Sequence, residues 1–286
     1  MSVASLLAEV GYQPGWFDVL TAPFMRNALL AGTLVALAAG PIGYLVVVRR
    51  DAFAAHALAH IGFPGATAAV LLGVPVTAGL AVFCTAGGIG IGLLGRRAVD
   101  RETVTGSILA VATALGVLFA SLATESAASV TSVLFGDLLA VTSGQLVVFG
   151  GMTALIVVVL AAIGPPLLFV SVDPQVAEAK GVPVRVLALA FMVLLALVTT
   201  MAVQVVGTLL LFALVVTPAA TALAVTARPW AAVGLSTAVA LGCVWVGLTL
   251  SVMFDLAPSF PIVALAFTAW LVVTLAVRRR RSTHRT

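Results

Sequence analysis

A chain of 286 residues that is 62% hydrophobic and only 8% charged is far from a soluble domain, in which about a quarter of residues are charged. Apolar residues run its whole length and leave no polar half to fold separately in water. That excludes an extracellular binding module, a nucleic-acid-binding domain and a water-soluble enzyme. Runs such as 187–198 lack the alternation of an outer-membrane barrel. The composition therefore predicts an all-α polytopic transmembrane bundle.

In chain order, residues 1–23, with Trp16 and Phe17, read as an interfacial segment ahead of a membrane domain spanning 24–277. Apolar runs long enough to cross a bilayer fall at roughly 27–48, 53–73, 76–95, 104–123, 145–169, 186–206, 208–227, 231–254 and 261–277. That makes nine spans, or eight if one segment is re-entrant. The second is expected to break at Gly62-Phe63-Pro64 and the seventh near Pro218. Gly88 with Gly92, and Gly234 with Ala238 and Gly242, have the spacing of tight helix contacts, most often within one subunit and otherwise between subunits. Cys84 and Cys243 sit apart in apolar runs and read as packing residues.

Orientation follows from the arginines. With the N-terminus outside, thirteen of the fourteen basic residues fall on the inner side, leaving only Arg26 outside. This obeys the positive-inside rule and makes 278–286 a basic cytoplasmic tail. The net charge of +4 is thus a topology signal, and no nucleic-acid partner is implied. Lys180, flanked by Ala179 and Gly181, is the sole lysine. A phosphate-binding loop needs Gly-Lys-Ser/Thr, so the chain has none. Any pumping draws on a partner or an ion gradient.

The clearest chemical signal is Arg49-Arg50-Asp51-Ala52-Phe53-Ala54-Ala55-His56-Ala57-Leu58-Ala59-His60. Four residues apart on a helix, the two imidazoles share one face. Counted from Arg50, they lie ~9 and ~15 Å into the span, where ionisable groups usually mark a pathway. A zinc hydrolase would carry His-Glu-x-x-His with glutamate as base, but Ala57 follows His56. The pair reads instead as a site that binds and releases a divalent cation. Imidazole favours zinc, whereas manganese prefers oxygen donors. A second signal is Asp173-Pro174 through Gly181-Val182. There Asp173 can cap a short helix, Pro174 can open it and Gly181 can end it, forming a docking knob between two spans.

These segments together resemble the permease subunits of the ATP-binding-cassette importers that take up zinc, manganese or iron. The resemblance runs over roughly 24–277, through Val48-Arg49-Arg50, His56 to His60 with Phe63-Pro64-Gly65, Leu134-Phe135-Gly136-Asp137, Asp173-Pro174 with Gly181-Val182, Val206 to Leu210, Thr217-Pro218 and Pro258-Ser259-Phe260-Pro261. It implies a non-enzymatic permease in a bacterial plasma membrane, contacting lipid and paired with a second copy. It also implies two cytoplasmic ATPase subunits and an extracytoplasmic metal-binding protein. By the same resemblance, 173–182 is the coupling helix, with Asp173, Glu178, Ala179 and Gly181 facing the ATPase, and Asp137 lies near an external mouth. The family's Asp-x-x-x-His ligand pair maps onto His56 and His60. Histidine at the first position points to zinc as the transported substrate, with manganese or iron as the alternatives within the family, and no permanently bound cofactor is implied. A stand-alone proton-coupled transporter, with the histidines as proton carriers, is the alternative outside the family.

Overall fold

The structure is a computed structural model that describes residues 16–95, 98–122, 136–208 and 211–283. Most of the interfacial segment, Arg96 and Arg97, the Leu134-Phe135 part of one family motif, Leu209-Leu210 and the last residues of the basic tail lie outside the described residues. A short helix α1 (Trp16–Thr21) leads into α2 (Pro23–Arg49), α3 (Ala52–Leu72), α4 (Val76–Leu94) and α5 (Ala98–Leu122). After a 3-10 turn at Leu138–Ala140 come α6 (Ser143–Val172), α7 (Pro174–Ala179), α8 (Val184–Val206), α9 (Leu211–Val225), α10 (Pro229–Met253) and α11 (Ser259–Thr283). The described residues contain no strand.

Each of the nine expected spans is matched by a helix. Eight are long and apolar enough to cross a bilayer. The ninth, α9, has 15 residues and is about 22 Å long. Two expected breaks lie elsewhere or do not occur. α3 runs through Gly62-Phe63-Pro64 without interruption, and the Thr67 hydroxyl donates to the carbonyls of Phe63 and Pro64 at 3.2 and 3.1 Å. α9 likewise continues through Pro218. The chain breaks earlier, at Gly207, whose φ of +85° ends α8 in a conformation that only glycine adopts without strain.

α2 is the centre of the bundle and packs against α6, α8, α9 and α10, while α8 joins it to α4. α3, α4 and α5 form one flank, and α9, α10 and α11 the other. The Gly88–Gly92 stripe of α4 packs against Met192 and Leu189 of α8, as expected. Among the described residues, the Gly234–Ala238–Gly242 stripe has no packing partner. Gly234 and Gly242 have open space where a Cβ would stand, and the stripe lies on the exposed side of α10. Both cysteines are free and buried.

Candidate functional site

α3 carries both histidines on an alanine-rich first half, and alanine loses least on entering a helix. On the side away from the histidines, Leu58, Ile61, Gly62 and Gly65 are buried, and the last three of these meet α4. The crossing is tight because a Cβ on Gly65 would run into the carbonyl of Gly79, and one on Gly79 into the carbonyl of Gly65. Close backbone approach of this kind holds helices together where lipid removes the hydrophobic drive. Phe63 lies against Gly116 and fixes α5 beside the same helix.

With those neighbours in place, one stripe of α3 is turned to the outside of the chain. Phe53 and Leu71 on it are 44% and 45% exposed, and His56 and His60 between them are half-buried. The two ring centroids are 4.8 Å apart with planes inclined at 74°. A zinc–nitrogen bond is about 2 Å, so side-chain rotation suffices for both rings to reach one ion. Among the described residues, no group of three or more His, Cys, Asp or Glu side chains gathers to hold a metal. The pair alone offers two of the four ligands of a closed zinc site. Pro64 has no amide hydrogen and so removes the usual helical partner of the His60 carbonyl. That places an oxygen acceptor on the same residue as one imidazole.

The end of the bundle at which α2 passes into α3 is charged. Arg50 takes a left-handed conformation at φ +59°, which turns Asp51 inward to 4% exposure. Its carboxylate accepts from Arg49 Nε at 3.0 Å and from Arg101 Nη1 at 2.6 Å. Arg49 Nη1 also donates to Ser171 Oγ at 3.3 Å, and its guanidinium lies over the Phe191 ring, 4.6 Å from the centroid. A cavity of about 610 Å³ opens at this end, lined among others by Arg49, Arg101, Ser171, Glu178 and Arg185.

The short helix expected from Asp173 is present as α7. Asp173 Oδ1 accepts from the Val176 amide at 3.0 Å, Pro174 is its first residue, and Gly181 turns the chain with φ +78°. Ala177 is fully buried and anchors the helix, while Asp173, Glu178, Ala179 and Gly181 are exposed. Asp137 lies at the opposite end of the bundle and is exposed. Its amide donates to the Gln204 carbonyl at 3.1 Å, beside a neutral cluster in which Thr77 and Gln145 donate to the Gln204 side chain at 2.8 and 3.4 Å. The fold brings His56 and His60 together but sets Asp137 and the 173–182 loop at opposite ends.

Sequence reasoning gave no site role to Asp51, Arg101 or Ser171. It read Arg101 as topology, and Arg49 as topology and part of a family motif. The available signal was a carboxylate directly after two arginines at a span boundary, where it has cations within reach.

Membrane helices around a half-open histidine pair, with an exposed capped helix at the basic end, define the membrane-spanning part of a transporter. The chain matches the family model described as ABC 3 transport family over residues 21–278. It is 30% identical over 253 residues to the manganese transport system membrane protein MntC of Listeria innocua, covering 88% of this chain and 90% of that one. It is 29% identical over 259 residues to the manganese import system permease protein ScaB of Streptococcus gordonii, covering 90% and 93%. The solved structure of PsaBC from Streptococcus pneumoniae in complex with Fab matches with a TM-score of 0.80 at 30% identity, covering 90% of this chain and 94% of that one. The chain belongs to the ABC 3 transport family: it is the multi-pass permease subunit of a bacterial plasma-membrane importer of metal ions, with ATP hydrolysis on a separate subunit. A separate ATPase replaces the stand-alone proton-coupled transporter.

Proposed function

We propose that this permease moves a divalent transition metal inward by alternating access around His56 and His60, with zinc as its preferred substrate. The observation that carries the reading is the pair of half-buried imidazoles 4.8 Å apart on one face of α3. Their face is turned to the outside of the chain, so a second copy packed there would bring two further imidazoles and complete a four-ligand set. Neutral imidazole nitrogen suits zinc. A site made only of side chains that rotate freely can release the ion when the copies separate.

In this reading the arginine-rich end is cytoplasmic, in line with the positive-inside rule. The exposed face of α7, with Asp173, Glu178, Ala179 and Gly181, receives one ATPase subunit per copy. Asp137, exposed at the opposite end, borders the outer mouth, where an extracytoplasmic metal-binding protein delivers the ion.

Manganese is the second reading. The names of MntC and ScaB favour it, and the carbonyl of His60, deprived of its helical partner by Pro64, is a donor of the harder kind manganese prefers. One substitution separates the two. His56→Asp is expected to keep transport and shift preference from zinc towards manganese. The measurement is uptake of each ion by cells lacking their other importers, at matched permease levels. An unchanged order of preference would show that His56 does not select the metal.

A further inference from the structure

Asp51 is buried at the start of the histidine helix and is held on both of its carboxylate oxygens. Its carboxylate takes one guanidinium from α2 and one from α5. Arg49 extends the network to Ser171 at the end of α6 and to Phe191 of α8. Ser171 is itself tied to the Leu167 carbonyl at 2.6 Å. A buried ion pair contributes little stability, because desolvation of the charges offsets most of their attraction. What it holds well is geometry.

The geometry joins two functional elements. Ser171 stands two residues before Asp173, the residue that caps α7. Asp51 is the capping residue of α3, whose first turn is closed by the Ala55 amide on the Asp51 carbonyl at 3.0 Å. His56 is the next residue. We propose that Asp51 is the positioning residue that links the 173–182 loop to the histidine helix, so that displacement of that loop by a docked ATPase moves His56 and His60. The link rests on the reading of 173–182 as the coupling segment. The cavity of about 610 Å³ lies beside the network and is lined by Ser171, Pro174 and Glu178 as well as both arginines. It leaves the loop room to shift while the Arg49–Ser171 contact carries the movement to Asp51.

The test uses the permease assembled with its ATPase subunits in membrane vesicles. The readouts are zinc and manganese uptake, the ion concentration giving half-maximal uptake, ATP turnover with and without metal, and retention of the ATPase. Asp51→Asn preserves size and the backbone cap but removes the charge. It is expected to retain the ATPase and its metal-free turnover while lowering maximal uptake about tenfold, with the half-maximal concentration held within about twofold. Asp51→Glu restores much of the loss. Ser171→Ala, remote from the histidines, produces the same split in smaller measure, and the double variant is no worse than Asp51→Asn alone.

Uptake that falls only in step with the amount of folded permease overturns the proposal, and so do independent, multiplying effects of the two changes. If Asp51→Asn does not accumulate, normal uptake by Ser171→Ala overturns it alone. Failure of the coupling reading has a separate signature: proteins altered at Glu178 and Gly181 would still retain the ATPase. Failure of the link alone leaves docking lost in those proteins and uptake normal in Asp51→Asn.

Discussion

Four residues separate Asp51 from His56, yet the fold treats the two in opposite ways. The Asp51 side chain is 3% exposed, and both of its oxygens accept from guanidinium groups. His56 and His60 are half-buried on an outward stripe, touch each other, and have no third His, Cys, Asp or Glu gathered with them among the described residues. The contrast follows from what an apolar interior tolerates. A fixed charge there must be paired on the spot or it costs several kcal/mol (about 3–5 when one partner is removed). A neutral imidazole carries no such penalty and can keep a lone pair ready for an ion that comes and goes. One cluster is built to stay as it is, and the other to be completed from outside the chain.

The largest effect that separates them is expected from His60→Ala. Outer-shell changes at metal sites already cost about 10–100-fold in affinity or activity, and this change removes a ligand outright. Uptake should fall by about a hundredfold or more, on the same basis. The thermal midpoint of the detergent-purified permease should stay where it is, because the ring contributes to no charged network. Normal uptake by this protein would move the site away from the pair altogether. Matched loss of stability and uptake would make His60 a packing residue.

Acid is expected to act next most strongly, and again on one cluster only. A metal binds neutral imidazole, and free histidine gains its proton near pH 6.5. Lowering the external pH raises the concentration of protons that compete with the metal for the imidazole nitrogens. Uptake should therefore decline as the external pH falls, and recover on return to neutrality. The folded state should persist over the same range, because the Asp51 network contains no histidine. Uptake measured at several pH values at saturating and limiting metal separates the two effects. A decline that more metal cannot reverse would count against proton competition at the pair.

How much of this was legible in the residues depends on the range of the interaction. Nine apolar runs and two histidines four apart are local patterns, and each run has its helix in the structure. α7 was equally legible, because Asp, Pro and Gly act within their own turn. The position of the breaks was not. Pro64 and Pro218 looked like interruptions, but tight packing around their helices absorbs them: Gly65 meets Gly79, and Gly43 meets the Val215 carbonyl. Which of its two readings the stripe on α10 follows was not legible, because spacing shows that small residues share a face, not which way the face points. The Asp51 network joins residues 49, 51, 101, 171 and 191. Such a set requires the three-dimensional arrangement, and the left-handed turn at Arg50 that assembles it has no local residue signal.

The smallest effect is expected where the charge is kept and only its shape is changed. Arg49→Lys preserves a cation beside Asp51, so a network held by charge alone would be indifferent to it. The guanidinium, however, does three things at once. It donates from Nε to Asp51, donates from Nη1 to Ser171, and lies over the Phe191 ring. An ammonium on a flexible stem cannot form that planar fork, nor stack in the same way. Losing one charge-assisted hydrogen bond and part of a cation–π contact should cost about 2–3 kcal/mol. The thermal midpoint should fall by a few degrees while the protein remains folded, and uptake should fall only a few-fold. A midpoint that does not move would mean that charge, not shape, secures this end of the bundle. Asp51 would then be held no more tightly than any buried ion pair, and the contrast with the histidines would reduce to burial alone.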